Sequence, residues 1–137
     1  MIQGQSIQPE DLLHFLELPQ FTRRWAAIGL DDEKNLLDLQ LTIMLAPKSG
    51  RVIRGTSGLR KLRFAPRDWS SGKSGALRVL YVYFPQFYLV LLCLVYDKTE
   101  QDDLSMAAKG ILNKAIATIE TELARRWATI QRKIARG

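Results

Sequence analysis

Two apolar runs separated by a proline constrain this chain more than any other feature. Residues 76–84 (ALRVLYVYF) and 87–96 (FYLVLLCLVY) are rich in β-branched and aromatic side chains, and Pro85-Gln86 stands between them. Such runs are typical of buried strands, and a break this short is the length of a β-hairpin loop. The pattern therefore predicts two central, largely buried strands within a mostly antiparallel sheet.

The N-terminal part of the chain predicts two short helices. Pro9 and the acids after it favour a helix start ahead of the apolar segment 12–16, because proline and carboxylates suit a first turn. A second helix is predicted over residues 20–27, and Gly29 marks its end, since glycine closes many helices. The single histidine, His14, has no cysteine or second histidine with which to share a metal, and we interpret it as structural.

A clearer third helix follows. Asp31 is placed to cap its start, and Pro47 ends it. Its predicted buried face consists of apolar residues at helical spacing, namely Leu37, Leu41, Met44 and Leu45. The segment 1–50 contains seven acids and four bases, so we expect this acidic helical half to support a binding surface that lies elsewhere in the chain.

The basic block, residues 51–78, is the strongest charge feature. It holds eight Lys or Arg residues and one acid, a net charge of +7, whereas the whole chain carries +6. Clustered like charge costs self-repulsion that solubility does not require, which favours a site for a polyanion over a solvated charged surface. Glycines and alternating apolar residues between the charges further favour a surface that faces phosphates.

One strand of the basic block is predicted at residues 59–65. Its alternation places Lys61 and Arg63 on one face and apolar side chains on the other. A short strand at Val52-Ile53 and a glycine-containing turn precede it. The strand therefore predicts one face in the core and one cationic face. A Gly/Ser loop over residues 66–75 follows and carries Arg67, Trp69 and Lys73.

The C-terminal part of the chain predicts one long helix that Ser105 caps. Apolar residues at steps of three and four mark one of its faces: Leu112, Ile116, Ile119, Leu123, Trp127, Ile130 and Ile134. An unbroken helix to Arg136 is about 48 Å long at 1.5 Å per residue, which exceeds what a small sheet needs. The basic part beyond about Leu123 has three alternatives: it projects, folds back or docks on a partner.

Composition bounds the remaining options. A chain of 137 residues that is 47% apolar is one domain's worth. The single cysteine, Cys93, lies in an apolar run, which indicates a buried structural thiol and fits a reducing, cytoplasmic location. No apolar run approaches the roughly 20 residues of a membrane-spanning helix, and the first twenty residues do not resemble a secretory signal.

Known catalytic motifs do not fit. Residues 72–74 (GKS) resemble the end of a phosphate-binding P-loop, but Arg67 stands where that loop needs its first glycine, and a strand follows where a helix should open. There is no HExxH, CxxC or paired-carboxylate spacing, so we expect neither a metal nor a cofactor. A serine hydrolase would have to rely on His14. Acid–base chemistry would therefore use Lys, Arg, Tyr or Asp.

Three short segments follow one another in a defined order: residues 55–64 (GTSGLRKLRF), 72–81 (GKSGALRVLY) and 96–105 (YDKTEQDDLS). In this order and spacing they resemble the successive signatures of RelE/ParE-superfamily toxins, with the HigB-type branch the closest. The resemblance covers residues 21–123, approximately. It implies an α+β, RelE-like fold in which N-terminal helices pack on a mostly antiparallel, twisted sheet of about four strands, followed by a long C-terminal helix.

By this resemblance the whole chain, residues 1–137, is a single toxin domain. Residues 1–20 are an N-terminal extension, and residues from about 124 to 137 are a basic C-terminal helical extension. Ala76 stands where a second glycine after Gly75 is common in the family. The resemblance further implies a toxin of a type II toxin-antitoxin system that inhibits translation by ribosome-dependent cleavage of mRNA. Its implied partners are mRNA on the ribosome and a helix-turn-helix, HigA-like antitoxin.

RNA cleavage by the ribose 2′-OH needs a base, in-line geometry and neutralisation of the charge that develops at phosphorus. Lys61 is the candidate base, because neighbouring cations favour the neutral form of a lysine. Arg63 and Arg78 are candidate phosphate clamps. Supporting acids or substrate contacts are Lys73, Tyr96 and Lys98. Arg60 should point to the opposite face from Lys61 and is a structural or a peripheral RNA contact. Arg67 and Trp69 are further candidate RNA contacts, and the Trp69 ring either stacks on a base or serves as a hydrophobic latch in the loop.

Two other classes of function stay open from the sequence. The chain could be a toxin that acts on a protein target such as gyrase, as ParE-like toxins do. It could also be a non-catalytic module that binds a nucleic acid or a partner protein. Mapping of mRNA ends after expression distinguishes these classes from a nuclease.

Overall fold

The structure is a computed structural model, and it describes residues 13–68, 76–97 and 104–136. In these ranges it is an α+β fold with a five-stranded sheet of order β1-β5-β4-β3-β2. The elements in chain order are β1 (His14–Glu17), α1 (Pro19–Ile28), α2 (Lys34–Leu45), β2 (Arg51–Val52), β3 (Arg60–Phe64), β4 (Leu77–Phe84), β5 (Leu89–Asp97) and α3 (Met106–Arg136). None of the described helices has the length and apolar character needed to cross a membrane.

The sheet is mixed, and this corrects the prediction of about four mostly antiparallel strands. Strands β2 to β5 pair antiparallel in chain order, as their short connections predict. The fifth strand, β1, pairs parallel with β5, with His14 opposite Leu89. The helix predicted at the N-terminus is therefore wrong where it reaches residues 14–17, and its start lies outside the described residues. A short apolar run is compatible with a helix or with a strand. Here the segment forms a strand because the edge of β5 is free to pair with it.

The core lies on both faces of the sheet. One face packs against α1 and α2 and includes Val79 and Tyr81, whereas the other packs against α3 and includes Leu80 and Val82. This double covering explains why β4 and β5 are apolar at nearly every position. Leu80 pairs with Leu94 while Tyr81 pairs with Leu92, so that Cys93 is the extra residue of a β-bulge.

The end of α1 and the hydrogen bonds at the start of α2 agree with the prediction. Gly29 ends α1 with φ 93°, in the left-handed region. The Asp31 carboxylate accepts hydrogen bonds from the backbone N–H groups of Lys34, at 2.6 Å, and Asn35, at 2.9 Å. Asp31 thus bonds to the first N–H groups of α2 as predicted, but the helix begins at Lys34 and Glu33 is the residue directly before it.

The predicted buried face of α2 is wrong. Leu37, Leu41 and Leu45 are 52%, 43% and 60% exposed, whereas the buried residues are Asn35, Leu39 and Ile43. Apolar residues lie on both sides of this helix, so that periodicity alone does not fix its rotation. Two hydrogen bonds of Asn35 do so: its side chain accepts one from the Asp31 N–H and donates one to the Asp68 carboxylate.

The C-terminal helix α3 is continuous over 31 residues. The Ser105 hydroxyl accepts a hydrogen bond from the Ala108 N–H at 3.1 Å, which confirms the predicted cap. Trp127 packs on Phe87 and Tyr88 at the end of the β4–β5 hairpin, with ring centroids 6.2 and 6.1 Å apart. The helix therefore does not fold back, and its last two turns extend past the sheet.

Candidate nucleic-acid interface

Two arginines face each other across neighbouring strands. Arg63 in β3 is directly opposite Arg78 in β4, and Arg78 is opposite Tyr96 in β5. Opposed residues of an antiparallel pair project from the same face, with Cβ atoms about 4.5–5.5 Å apart. Arg63, Arg78 and Tyr96 thus form a transverse row, the arginine row, on the face of the sheet that carries α3.

Lys61 lies on the same face, two residues along β3. It is opposite Leu80 in β4 and opposite Arg51 in β2. Arg51, Lys61, Arg63 and Arg78 together form the cationic face. Leu62 and Phe64 pack on the other side with α1 and α2, as the alternation of β3 predicts.

Arg51 is a member of the cationic face that the sequence did not single out. Strand β2 contains only Arg51 and Val52, which is too short to show an alternation. Its position depends on the entry to the strand, where the Gly50 N–H donates to the Tyr81 hydroxyl at 3.1 Å and this hydroxyl donates to the Pro47 carbonyl at 2.8 Å. This buried anchor sets Arg51 in register with Lys61.

The turn between β2 and β3 is fixed by α3. The Asn113 amide donates to the Gly55 carbonyl and accepts from the Ser57 N–H, both at 3.1 Å. Gly55 and Gly58 adopt φ values of 80° and 86°, which side chains rarely tolerate. The glycines of the first family-like segment therefore form the turn that aligns β3 with β2.

The electrostatics of the arginine row favour an anion. Opposed like charges destabilise a strand pair. Between the described residues, the Arg78 guanidinium donates to the Ala76 carbonyl at 2.9 Å, and no ion pair of Arg63 or Arg78 with a described acid is found. A bound phosphate would offset the repulsion. The same ranges contain no cluster of three His, Cys, Asp or Glu side chains suited to a metal ion.

Tyr96 is the buried end of the arginine row. Its side chain is 1% exposed and belongs to the core that includes Leu104 and Leu112. In this conformation Tyr96 lies beneath the surface, whereas Arg63 is exposed and Arg78 is half-buried. Any effect of Tyr96 on a ligand must therefore pass through its neighbour Arg78.

Arg60 projects to the face opposite Lys61, as the alternation predicts. It is paired with Tyr81, and its guanidinium donates to the carbonyls of Lys48 and Gly50 at 3.0 and 2.8 Å. These bonds attach β3 to the segment before β2. The structure thus separates Arg60 from the cationic face.

Arg67 also lies apart from the cationic face. Its Nε atom is 3.3 Å from the Asp38 carboxylate, and its backbone N–H donates to the same carboxylate at 3.1 Å. These contacts hold the loop after β3 against α2. The remaining predicted contacts, Trp69, Lys73 and Lys98, lie outside the described residues.

The solved structures that are similar to this chain include two of E. coli proteins. No known family model matches the sequence. A double arginine-to-alanine mutant of the E. coli toxin RelE in the free state is similar with a TM-score of 0.48 and 13% identity, over 66% of this chain and 88% of that chain. The intact E. coli RelBE toxin-antitoxin complex gives a TM-score of 0.46 and 14% identity, over 62% and 95%. Likenesses at this level do not establish a function.

Proposed function

We propose that this chain is a toxin of a type II toxin-antitoxin system that inhibits translation by cleaving mRNA on the ribosome. The observation that supports this function best is the direct opposition of Arg63 and Arg78, with Lys61 on the same face. Such a group of cations suits a phosphodiester, whose charge compensates the repulsion within the site. Lys61 and Arg63 belong to the first family-like segment and Arg78 belongs to the second, so the resemblance supports the proposal through these same residues.

The proposed reaction is an internal transfer at phosphorus. The ribose 2′-oxygen forms a bond to the adjacent phosphorus, and the bond from phosphorus to the 5′-oxygen of the next nucleotide breaks. Lys61 accepts the proton of the 2′-OH as general base, and the leaving 5′-oxygen takes up a proton from a general acid. The products are a 2′,3′-cyclic phosphate and a 5′-hydroxyl end.

Arg63 and Arg78 act on the charge of the transition state. Two guanidinium groups on one face can bind the non-bridging oxygens in a bidentate manner, and they do so more strongly as negative charge develops. Lys73 and Lys98 are proposed as the acid or as substrate contacts. Tyr96, which is buried, is proposed as a positioning residue for Arg78. Arg51 is proposed as an additional phosphate contact.

The open shape of the cationic face accounts for a requirement for the ribosome. Arg51 and Arg63 are exposed on strand surface, and Lys61 and Arg78 are half-buried. An open surface does not hold a flexible RNA in the in-line geometry that the reaction needs. We therefore infer that the ribosome presents the mRNA. Roles of Arg60, Arg67 and Trp69 in RNA contact stay predictions.

A neutralising partner belongs to this proposal. A toxin of this class requires an antitoxin, which we propose to be a helix-turn-helix, HigA-like protein encoded beside it. Co-expression with the product of the adjacent reading frame should restore growth and yield a complex that co-purifies. Growth arrest that persists, with no complex, would contradict this partner.

Expression of the intact chain in cells, followed by mapping of mRNA ends, tests the nuclease. We expect cuts at fixed positions within codons, and we expect Lys61→Ala and Arg78→Ala to abolish them. The matched control is Arg23→Ala, since Arg23 is an exposed arginine of α1 on the other side of the sheet. Growth arrest that continues in both variants without cuts would contradict the nuclease and support a protein target such as gyrase.

A further inference from the structure

Strand β2 brings Arg51 to the cationic face, but its own pairing holds it weakly. The strand contains two residues, and Arg51 lies directly opposite Lys61 of β3. Like charges at opposed positions destabilise a strand pair, and two residues supply few ladder hydrogen bonds. Contacts at the two ends of β2 must therefore keep Arg51 beside Lys61.

The first end of β2 is anchored to the core. The Gly50 N–H donates to the Tyr81 hydroxyl at 3.1 Å, and Tyr81 is a fully buried residue of β4. At its second end β2 continues into the turn of residues 53–59, called the β2–β3 turn, which returns the chain to β3. The position of Arg51 thus depends on what fixes this turn.

Hydrogen bonds within the β2–β3 turn give it a defined shape. The Ile53 N–H donates to the Leu59 carbonyl at 2.8 Å. The Thr56 hydroxyl donates to the Ile53 carbonyl at 2.6 Å and accepts from the Leu59 N–H at 3.2 Å. All of these bonds join residues of the same turn, so they fix its shape but not its position on the protein.

Asn113 of α3 attaches the turn to the rest of the fold. An asparagine amide offers both donors and an acceptor, and here it donates to the Gly55 carbonyl and accepts from the Ser57 N–H, both at 3.1 Å. Leu112 and Ile116, on the same part of α3, are buried in the core. The amide therefore projects from a fixed part of the helix and holds the turn at two points.

We propose that Asn113 is a positioning residue of the cationic face: through the β2–β3 turn it holds Arg51 beside Lys61, so that both can contact the same phosphodiester. Opposed residues of an antiparallel pair have Cβ atoms about 4.5–5.5 Å apart, which places the two side chains within reach of one phosphate group. The inference rests on the proposed function, because it takes RNA as the ligand of the cationic face.

Release of the turn should displace β2 and leave the rest of the cationic face in place. Strand β3 pairs with β4 at each position from Arg60 to Phe64, so Lys61 and Arg63 keep their positions. Loss of the Asn113 contacts should therefore remove the contribution of Arg51 alone. A purely structural role would instead affect every contact of the face together.

Binding of a single-stranded RNA by the full chain tests this positioning role. The RNA is 2′-O-methylated at every ribose and therefore cannot be cleaved, and fluorescence anisotropy measures its dissociation constant at several salt concentrations. Asn113→Ala should weaken binding by at least about threefold and reduce the salt dependence, as the slope of a log–log plot, by about 0.7, the value for one phosphate contact on a single strand. Thr118→Ala should change neither. It is the matched control on α3, because the Thr118 hydroxyl donates to the Lys114 carbonyl of the same helix.

Double variants separate the positioning of Arg51 from a general structural effect. Asn113→Ala/Arg51→Ala should bind within about twofold of Arg51→Ala, because the second substitution removes a contact that is already lost. Asn113→Ala/Arg63→Gln should instead show the product of the two single losses. Losses that multiply in the first pair would overturn the proposal, and so would unchanged binding by Asn113→Ala.

Hydrogen exchange of the wild-type chain tests the contact without any substitution. If Asn113 holds the turn in solution, the Ser57 N–H should exchange at least about tenfold more slowly than in an unstructured peptide. Unprotected exchange at Ser57 would overturn the proposal, and this result can be obtained even where Asn113→Ala does not fold.

Mapping of mRNA ends separates this inference from the proposed nuclease. A chain that binds the methylated RNA and shows the effect of Asn113→Ala, but leaves mRNA uncut, would contradict the nuclease and support the positioning role. A wild type that cuts mRNA no better than Asn113→Ala would contradict the positioning role alone. A wild type that neither binds RNA nor cuts mRNA would overturn both.

Discussion

Arg63 and Arg78 stand opposite each other across β3 and β4, and their repulsion is a cost to the folded chain that a bound anion would remove. Arg63 occupies an exposed strand position, and many uncharged residues would fit there without the repulsion. The two arginines are therefore better explained by binding than by folding. The same reasoning predicts that stability and activity respond in opposite directions to one substitution.

Arg63→Gln should make the fold more stable and the protein less active. Relief of the opposed charges should raise the free energy of unfolding by about 0.2–1 kcal/mol, while the proposed mRNA cleavage should fall because a proposed phosphate clamp is lost. Urea denaturation and mapping of mRNA ends measure the two effects. Arg23→Gln on α1 is the control and should change stability by less than about 0.5 kcal/mol. A less stable Arg63→Gln would contradict the repulsion.

Gly50 is a second residue at which the surrounding atoms determine the effect of a substitution on stability. A Cβ atom there would lie 2.9 Å from the Tyr81 ring and hydroxyl and 3.0 Å from the Arg60 Cβ. Gly50→Ala should therefore cost about 1–3 kcal/mol of unfolding free energy. Gly110→Ala, in open space within α3, should instead add about 0.5–1 kcal/mol. Thermal or urea unfolding compares the two, and equal effects would exclude the role of the Tyr81 anchor.

Helix α2 shows how an element depends on its ends. Its start is closed by the Asp31 carboxylate, and its rotation is set by the hydrogen bonds of Asn35 to Asp31 and Asp68. The exposed leucines on its outer side follow from this rotation. The hydrogen bonds of Asn35 therefore accompany the rotation that leaves Leu37, Leu41 and Leu45 exposed.

The cap predicts a pH dependence. The backbone hydrogen bond from Asn35, with smaller effects of Lys34 and Glu33, lowers the pKa of Asp31 below its ordinary value of 3.8. A lowered pKa in the folded state stabilises the fold above pH 3.8, and this contribution is lost as pH falls through the lower value. The stability difference between wild type and Asp31→Ala should thus be constant near neutral pH and shrink in acid. Urea denaturation at a series of pH values measures this difference, and a difference that stays constant into acid would contradict the cap.

The part of α3 after Ala128, here called the tail, should contribute little to the stability of the monomer. Its apolar residues Ile130 and Ile134 are exposed, whereas Trp127 packs on the hairpin. A chain that ends at Ala128 should therefore unfold within about 0.5 kcal/mol of the full chain when both are monomeric. Trp127→Ala should be clearly destabilising by the same measurement. A large loss on removal of the tail would show a contact within the chain.

Helices pack on both faces of the sheet, and the reactivity of Cys93 measures whether this packing is intact. The thiol is fully buried between β5 and α3. Burial raises its pKa to about 12, so that the reactive thiolate is absent near neutral pH. Access to this thiol requires separation of α3 from the sheet.

Labelling of Cys93 by a thiol reagent should therefore follow global unfolding. In the native state we expect labelling no faster than the opening of the whole fold, and in urea we expect it to rise with the unfolding transition. Ala117→Cys, at an exposed position of α3, should add one thiol that reacts at once. Rapid labelling of native Cys93 would mean that α3 detaches independently.

The local sequence pattern determined several strands, helix boundaries and one face of the candidate site. The runs 76–84 and 87–96 predict β4 and β5, Gly29 and Ser105 mark helix boundaries, and the alternation around Lys61 and Arg63 separates a core face from a cationic face. These features depend on residues close in sequence, whose periodicity and backbone preferences act before any long-range contact forms. The cationic strand of the candidate site can therefore be predicted from the sequence alone.

Only the tertiary structure decided the rest. The segment at His14 is a strand because β5 offers an edge to it, α2 turns its leucines outward because Asn35 bonds to Asp68, and Arg51 joins Lys61 because Tyr81 anchors Gly50. In each case the deciding partner is far away along the chain. Periodicity records which side chains are apolar, but not which distant group will meet them.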